Sequence, residues 1–105
     1  MRMRLEHESS EQLKKNLLCI VGRHLDLNEY RVFFFGSRVA GRGTERSDID
    51  VGIEGPAPVP GSMMAEMREA LEQLPLLYKI DIVDFQNVST HFKKVAKQNI
   101  ARITI

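Results

Sequence analysis

The sequence predicts an α/β domain in which a mixed β-sheet is flanked by helices. Short segments rich in Val, Ile and Phe alternate along the chain with amphipathic segments of helical spacing. A glycine-rich connection follows the first apolar segment, and we expect it to join two antiparallel strands. A chain of 105 residues can bury one core, and we expect residues 1–105 to form a single domain.

The N-terminal part predicts an amphipathic helix. Ser9 stands three residues before Gln12, which is the spacing of a capping box that satisfies backbone N–H groups at a helix start. Apolar residues then recur at helical spacing as far as Leu25. The helix is expected to end near Leu27.

Two central strands come next. The segment from Arg31 to Phe35 is apolar on both faces, which is typical of a strand in the middle of a sheet. The connection from Gly36 to Ser47 has room for one helical turn at most, and a second strand is predicted from Asp48 to Glu54. Because side chains alternate across a strand, Asp48 and Asp50 should share one face while the apolar residues face the core.

The second half of the chain begins with a loop from Gly55 to Gly61, whose three prolines predict an exposed and extended segment. A helix follows from Ser62 and ends before Pro75. Its apolar stripe contains Met63, Met64 and Met67, which we interpret as core residues and not as a binding surface.

A third strand is predicted from Tyr78 to Phe85. Asn87 or Ser89 can cap a last helix that runs to about Gln98. Its inward residues are expected to be Phe92, Val95 and Ala96. The alternation from Ile100 to Ile105 predicts a final short strand.

The composition narrows the classes of partner. Lys and Arg total 15 against 14 Asp and Glu, so the basic excess that is typical of nucleic-acid-binding proteins is missing. No apolar run approaches ~18 residues, and the polar N-terminus does not resemble a signal peptide. The single cysteine fits a reducing compartment. We expect a cytoplasmic protein with neither a membrane nor nucleic acid as its partner.

The turn after the first strand has the chemistry of an anion site. Gly36 lets the backbone approach a ligand, N–H groups at the start of a helical turn point outward, and the Ser37 hydroxyl adds a donor. Arg38 and Arg42 lie four residues apart, so a helical turn would place both near a phosphate. An ordinary turn with solvated arginines is the alternative.

Three carboxylates supply the complementary chemistry. Asp48 and Asp50 lie two residues apart on the second strand, and Asp81 alternates in the same way on the third. Such a set suits Mg²⁺, which takes oxygen ligands and pairs with substrate phosphates. Two ions roughly 4 Å apart could activate an attacking hydroxyl and neutralise a leaving pyrophosphate. The set comes together only if the strands of Asp50 and Asp81 are neighbours, and solvated strand-start carboxylates are the alternative.

Asp84 competes with Asp81 for the third position. Because Asp84 shares a face with Ile80 and Ile82, we expect a strand-end hydrogen bond or a surface charge instead. The three histidines are isolated in sequence from the single cysteine, so zinc is not expected.

The spacing of Gly36-Ser37, ten residues, then Asp48-Ile49-Asp50 resembles the signature of the minimal nucleotidyltransferases of the DNA polymerase beta superfamily. The later strand with Asp81, the first helix and the length are also similar, so the resemblance covers nearly the whole chain. It implies a polymerase beta palm-like fold, with Ser37 on the triphosphate and Asp48, Asp50 and Asp81 on Mg²⁺. It also implies transfer of a nucleoside monophosphate to a hydroxyl or phosphate acceptor, with AMP from ATP expected, and release of pyrophosphate.

Many minimal nucleotidyltransferases are paired with an all-helical protein of the HEPN type. The resemblance therefore implies such a partner, either as a modified toxin or as a substrate-binding subunit. Transfer to a small molecule, as in antibiotic-modifying relatives, is one alternative. A non-catalytic nucleotide-binding subunit is the other.

Overall fold

The computed structural model describes residues 10–36, 49–75 and 79–103. Within these ranges the helices are α1 (Ser10–Gly22), α2 (Gly61–Glu72) and α3 (Thr90–Ala96). The strands are β1 (Arg31–Phe35), β2 (Ile49–Glu54), β3 (Ile80–Asp84) and β4 (Ile100–Arg102). None of these helices is long and apolar enough to cross a membrane, since even α1 has only 13 residues. Strands and helices alternate, which confirms the predicted α/β class.

The described strands form one mixed sheet in the order β3–β2–β1–β4. β1 runs antiparallel to both β2 and β4, whereas β2 runs parallel to β3. The central position predicted for Arg31–Phe35 and the antiparallel pairing of the first two strands are therefore confirmed. The pairing of β2 with β3 also provides the neighbour relation on which the predicted carboxylate set depends.

One face of the sheet, here called the core face, packs against α1 and α2. Its buried apolar strand residues are Val32, Phe34, Ile49, Val51, Ile53 and Ile82. The helices close this face with Leu13, Leu17, Ile20, Val21, Met64, Met67 and Leu71. The two buried methionines of α2 are thus core residues, as the sequence predicts.

The opposite face, here called the site face, has a different composition. Strand alternation and register place on it Phe33, Phe35, Asp50, Gly52, Glu54, Asp81 and Val83. Phe33 and Phe35 form an aromatic cluster with Phe85, with ring centroids 4.9–6.4 Å apart. α3 packs on this cluster but has no buried residue of its own. The site face is therefore the more open of the two.

The first helix ends earlier than predicted, at Gly22 and not near Leu27. A local turn takes over, because the Asp26 carboxylate accepts the backbone N–H of Asn28 at 2.9 Å. The Asp26 carbonyl also accepts two further N–H groups. Such side-chain and backbone bonds compete with helix continuation. The predicted capping residue Ser9 lies outside the described residues.

The loop before α2 departs from its prediction as an exposed segment. Val59 within it is buried, and the Val59 backbone N–H donates to the Asp84 carboxylate at 2.7 Å. The Ala57 carbonyl accepts the Tyr30 hydroxyl at 3.0 Å. The loop is therefore tied to the rest of the molecule, and the prediction is wrong at Val59.

The last two elements are shorter than predicted. α3 ends at Ala96 and not near Gln98, and β4 ends at Arg102. Ser89 is the N-cap, as one of the two predicted candidates, and its hydroxyl accepts the Phe92 N–H at 3.1 Å. Tyr78 and positions 104–105, where the sequence predicts further strand residues, lie outside the described residues.

The orientation of α3 also corrects a prediction. The prediction of an inward Val95 is wrong, since that side chain is 50% exposed. Phe92 is 40% exposed although its ring contacts Phe35 and Phe85, and Ala96 packs against the aromatic cluster as predicted. The reason for this orientation lies in two ion pairs, since Lys93 and Lys97 both reach the buried Glu54 on the sheet. Positions 93 and 97 lie one helical turn apart, so these contacts set which side of the short helix faces the sheet.

Candidate active site

β1 ends in a glycine that the geometry requires. Gly36 has a φ of 90°, in the left-handed region that favours glycine. A Cβ atom at this position would lie only 2.5 Å from Oδ2 of Asp50. Both the backbone conformation and the neighbouring carboxylate therefore exclude a side chain here. The predicted phosphate-binding turn thus begins in close approach to a predicted metal ligand.

The Asp50 and Asp81 side chains lie side by side. Asp50 is the direct partner of Asp81 in the parallel register of β2 and β3, and of Phe35 in the antiparallel register of β1 and β2. Partnered residues on neighbouring strands point to the same face, with the strands about 4.8 Å apart. Asp50 is partly buried and Asp81 is exposed. The site face therefore presents two adjacent carboxyl groups next to the end of β1.

The other predicted site residues, Ser37, Arg38, Arg42 and Asp48, lie outside the described residues. Their roles stay predictions. In the ranges that are described, no three His, Cys, Asp or Glu side chains form a group able to hold a metal ion. The two adjacent carboxylates nevertheless have the donor chemistry that Mg²⁺ requires, and the predicted set is completed by Asp48.

Asp84 has a structural role at the end of β3. Its Oδ2 accepts the Val59 N–H at 2.7 Å and the Asn87 side-chain amide at 3.1 Å, and its Oδ1 accepts the Gln86 N–H at 3.0 Å. The carboxylate is buried and occupied by these donors. The predicted strand-end hydrogen bond is therefore confirmed, and the alternative of a surface charge is wrong.

Glu54 is a buried carboxylate that the sequence reasoning missed. It is 6% exposed and forms ion pairs with Lys97 at 2.8 Å, Lys93 at 3.0 Å and Arg31 at 3.2 Å. Burial alone would raise the pKa of Glu54, but hydrogen bonds and charges from Lys97 and Lys93 outweigh burial and hold it below the ordinary 4.5. The signal was present, since alternation from Asp50 places Glu54 on the same face.

Two recesses adjoin the carboxylate pair. One, of about 300 Å³, includes Gly36 and reaches α3. The other, of about 440 Å³, includes Asp81 and has charged walls formed by Arg68, Glu72 and Lys79. A third recess, also about 440 Å³, lies away from the carboxylates between α1 and the β1–β4 side of the sheet. The first recess therefore reaches the glycine that approaches Asp50, and the second reaches Asp81.

Comparison with known proteins identifies a matching family and a similar protein. The family model described as "Polymerase beta, Nucleotidyltransferase" matches residues 27–103, a range that contains Gly36, Asp50 and Asp81. A protein from Haemophilus influenzae named "Probable protein adenylyltransferase MntA" is 29% identical over 88 residues. That match covers 82% of this chain and 77% of the relative.

Two solved structures share the fold. One is a toxin–antitoxin with AMP-PNP, with a TM-score of 0.71 and 18% identity, covering 87% of this chain and 72% of that chain. The other is a tri-AMPylated Shewanella oneidensis HEPN toxin in complex with MNT antitoxin, with a TM-score of 0.64 and 17% identity, covering 90% and 71%. Together with the family match, they confirm the predicted polymerase beta palm-like fold.

Proposed function

The chain belongs to the polymerase beta nucleotidyltransferase family, and from this premise we propose that it transfers AMP from ATP to a hydroxyl group of a helical partner protein. The enzyme class follows from the family and from the relative named as an adenylyltransferase. The choice of AMP is supported by the AMP-PNP and the AMPylated toxin in the similar structures. A HEPN-type partner is supported by the same complex, and an antitoxin role in the cytoplasm fits this pairing.

The observation that carries the proposal is the register of β2 against β3. It makes Asp50 and Asp81 direct partners on the site face, beside the glycine that ends β1. Both carboxylates stand on strands of the central sheet and not on loops, which fixes their separation. The pair thus offers ligands for a cation next to a turn that is suited to phosphate.

In the proposed reaction the acceptor oxygen forms a bond to the α-phosphorus of ATP. The bond from that phosphorus to the bridging oxygen of the β-phosphate breaks, pyrophosphate leaves, and the hydroxyl proton passes to solvent. Mg²⁺ held by Asp48, Asp50 and Asp81 would activate the hydroxyl and neutralise charge on the pyrophosphate. Gly36 leaves the backbone open to the triphosphate, and Ser37, Arg38 and Arg42 are the proposed phosphate donors.

The experiment that tests the proposal is Asp50→Asn. The change is nearly isosteric but removes a charge from the proposed metal site, so pyrophosphate release should fall by about 100-fold or more. Glu69→Gln on the exposed side of α2 is the matched control and should leave activity unchanged. The assay contains ATP, Mg²⁺ and the protein encoded by the neighbouring gene, and intact mass reports whether that protein gains AMP.

Three outcomes would contradict parts of the proposal. Release of pyrophosphate by Asp50→Asn at the wild-type rate would exclude its metal role. Nucleotide binding by the wild type without pyrophosphate release would favour a non-catalytic subunit. Robust transfer to a small molecule, with no mass gain on the partner, would favour a small-molecule acceptor.

A further inference from the structure

The cleft that includes Gly36 borders the proposed active site at that residue. It has a volume of about 300 Å³ and lies between the end of β1 and the second half of α3. Gly36 forms part of its wall and also approaches the Asp50 carboxylate. A ligand whose phosphates lie at Gly36 can therefore extend directly into the cleft. The volume is at the lower end of the range for small-ligand sites.

The walls of this cleft carry apolar surface that the fold leaves uncovered. Phe92 is 40% exposed and Val95 is 50% exposed. Ile100, which partners Phe35 in the register of β1 and β4, is 39% exposed close by. Exposed apolar side chains grouped at the rim of a site are typical of a surface that contacts a ligand.

The Phe92 ring is held in position although it is exposed. Its centroid lies 6.1 Å from that of Phe35 and 5.9 Å from that of Phe85, both at steep edge-to-face angles. The ion pairs of Lys93 and Lys97 with Glu54 fix the helix that carries it. A ring already fixed in this way loses little conformational freedom when a ligand stacks on it.

Two carboxamide side chains complete the rim of the cleft. Gln98 and Asn99 follow α3 and line the cleft, and among the residues that the structure describes their side-chain amides make no hydrogen bond. A carboxamide offers a donor and an acceptor together, which matches the donor and acceptor on one edge of adenine. The corresponding edge of guanine presents two acceptors, which pair with Arg or Lys, and neither residue type lines this cleft.

We propose that this cleft holds the adenine base of the nucleotide, stacked against Phe92 with its edge toward Gln98 and Asn99. The inference rests on the proposed function, because it names the part of ATP that occupies the cleft. The other recess that adjoins the carboxylates, next to Asp81, has charged walls and no aromatic residue. Stacking on an aromatic ring is a main source of base affinity, so the base belongs on the Gly36 side.

Binding of two probes tests the assignment. The 105-residue chain is titrated with a non-hydrolysable ATP analogue and with inorganic tripolyphosphate, each in Mg²⁺. Phe92→Ala should lower the affinity for the analogue by about 5- to 150-fold, the range of one lost stacking contact, and leave the affinity for tripolyphosphate unchanged. Leu27→Ala is the control, since Leu27 has the same exposure at 41% and lies away from the cleft, and neither affinity should change.

A second variant tests recognition of the base edge. Asn99→Asp replaces the amide donor by an acceptor, so the preference for the ATP analogue over the GTP analogue should fall several-fold. Thermal melts of each variant report whether the fold is retained. An unchanged preference, together with a normal effect of Phe92→Ala, would remove Asn99 from the assignment.

The failures of the two proposals can be told apart. If Phe92→Ala lowers the affinity for the ATP analogue no more than Leu27→Ala does, or lowers the affinities for both probes equally, the base lies elsewhere. The cleft assignment is then overturned while the proposed function stands. If the wild type binds neither the analogue nor tripolyphosphate, the proposed function and the cleft assignment fail together.

Discussion

The two faces of the sheet use the same strands for opposite purposes. The core face is entirely apolar along β1 and β2 and is closed by two helices. The site face carries the carboxylates Asp50, Glu54 and Asp81 and is covered in part by one seven-residue helix. A strand with period-two alternation can supply a core and a site at once, because each residue belongs to one face only.

The site face also separates two kinds of carboxylate on a single strand. Glu54, at the end of β2, is buried and surrounded by three cationic side chains. Asp50, near its start, lies opposite another carboxylate, Asp81. In the first arrangement three cationic side chains compensate the charge of Glu54, whereas two neighbouring carboxylates have the donor chemistry that a divalent cation takes. The partners, and not the residue type, decide which carboxylate serves the structure and which serves the proposed chemistry.

The largest expected effect is a difference in stability between a substitution on the core face and one beside the site face. Phe34 on the core face is fully buried, whereas Phe92 beside the site face is 40% exposed. Phe34→Ala should lower the free energy of unfolding by about 3–5 kcal/mol, because it leaves a cavity between sheet and helices. Phe92→Ala should cost less than about 1 kcal/mol. Denaturant unfolding of both variants measures the difference, and similar costs would show that the faces are not energetically distinct.

A smaller effect compares two aspartates on one strand. Asp84 accepts three hydrogen bonds in a buried position, so Asp84→Asn must lose at least one of them and should cost about 1–3 kcal/mol of stability. Asp81 is exposed, so Asp81→Asn should cost less than about 0.5 kcal/mol. Activity should respond in the opposite order, with pyrophosphate release abolished by Asp81→Asn and retained by folded Asp84→Asn.

Thermal melts and pyrophosphate assays of the two variants decide this comparison. Loss of activity in a fully folded Asp84→Asn variant, with normal activity in Asp81→Asn, would contradict the assignment of Asp81 as the third metal ligand, which rests on strand alternation. It would also place the proposed third ligand on the core face, where the Asp84 carboxylate already holds the loop before α2.

Much of this arrangement could be predicted from local patterns. Alternation alone assigns Asp50 and Asp81 to one type of face and Asp84 to the other, and the apolar segment Arg31–Phe35 indicates a central strand. The spacing from Gly36 to Asp50 carried the family resemblance. These features depend on neighbours in sequence, so they can be seen in one chain without its structure.

The features that could not be predicted depend on contacts between distant segments. Val59 is buried because Asp84, 25 residues later, accepts its N–H. The orientation of α3 is set by Glu54, which lies 39 and 43 positions before Lys93 and Lys97. Helical periodicity in so short a segment is a weak guide, and the ion pairs override the apolar pattern that predicts Val95 inward.

The smallest expected effect concerns Glu54, a carboxylate that lies on the site face but is as buried as the residues of the core face. Because its pKa is lowered in the folded protein, its ion pairs contribute stability above the ordinary value of 4.5, and that contribution is lost as the pH falls through the lowered pKa. Glu54→Gln should therefore lower stability by about 1 kcal/mol at pH 7, a modest amount because Lys93 and Lys97 are a third or more exposed. The difference from wild type should shrink below pH 4.5 as Glu54 itself becomes protonated.

Melting temperatures between pH 3 and 7 measure this convergence, with the exposed Glu69→Gln as the control that should track wild type throughout. A gap between Glu54→Gln and wild type that stayed constant down to pH 3 would mean that the charge of Glu54 does not hold α3 on the site face.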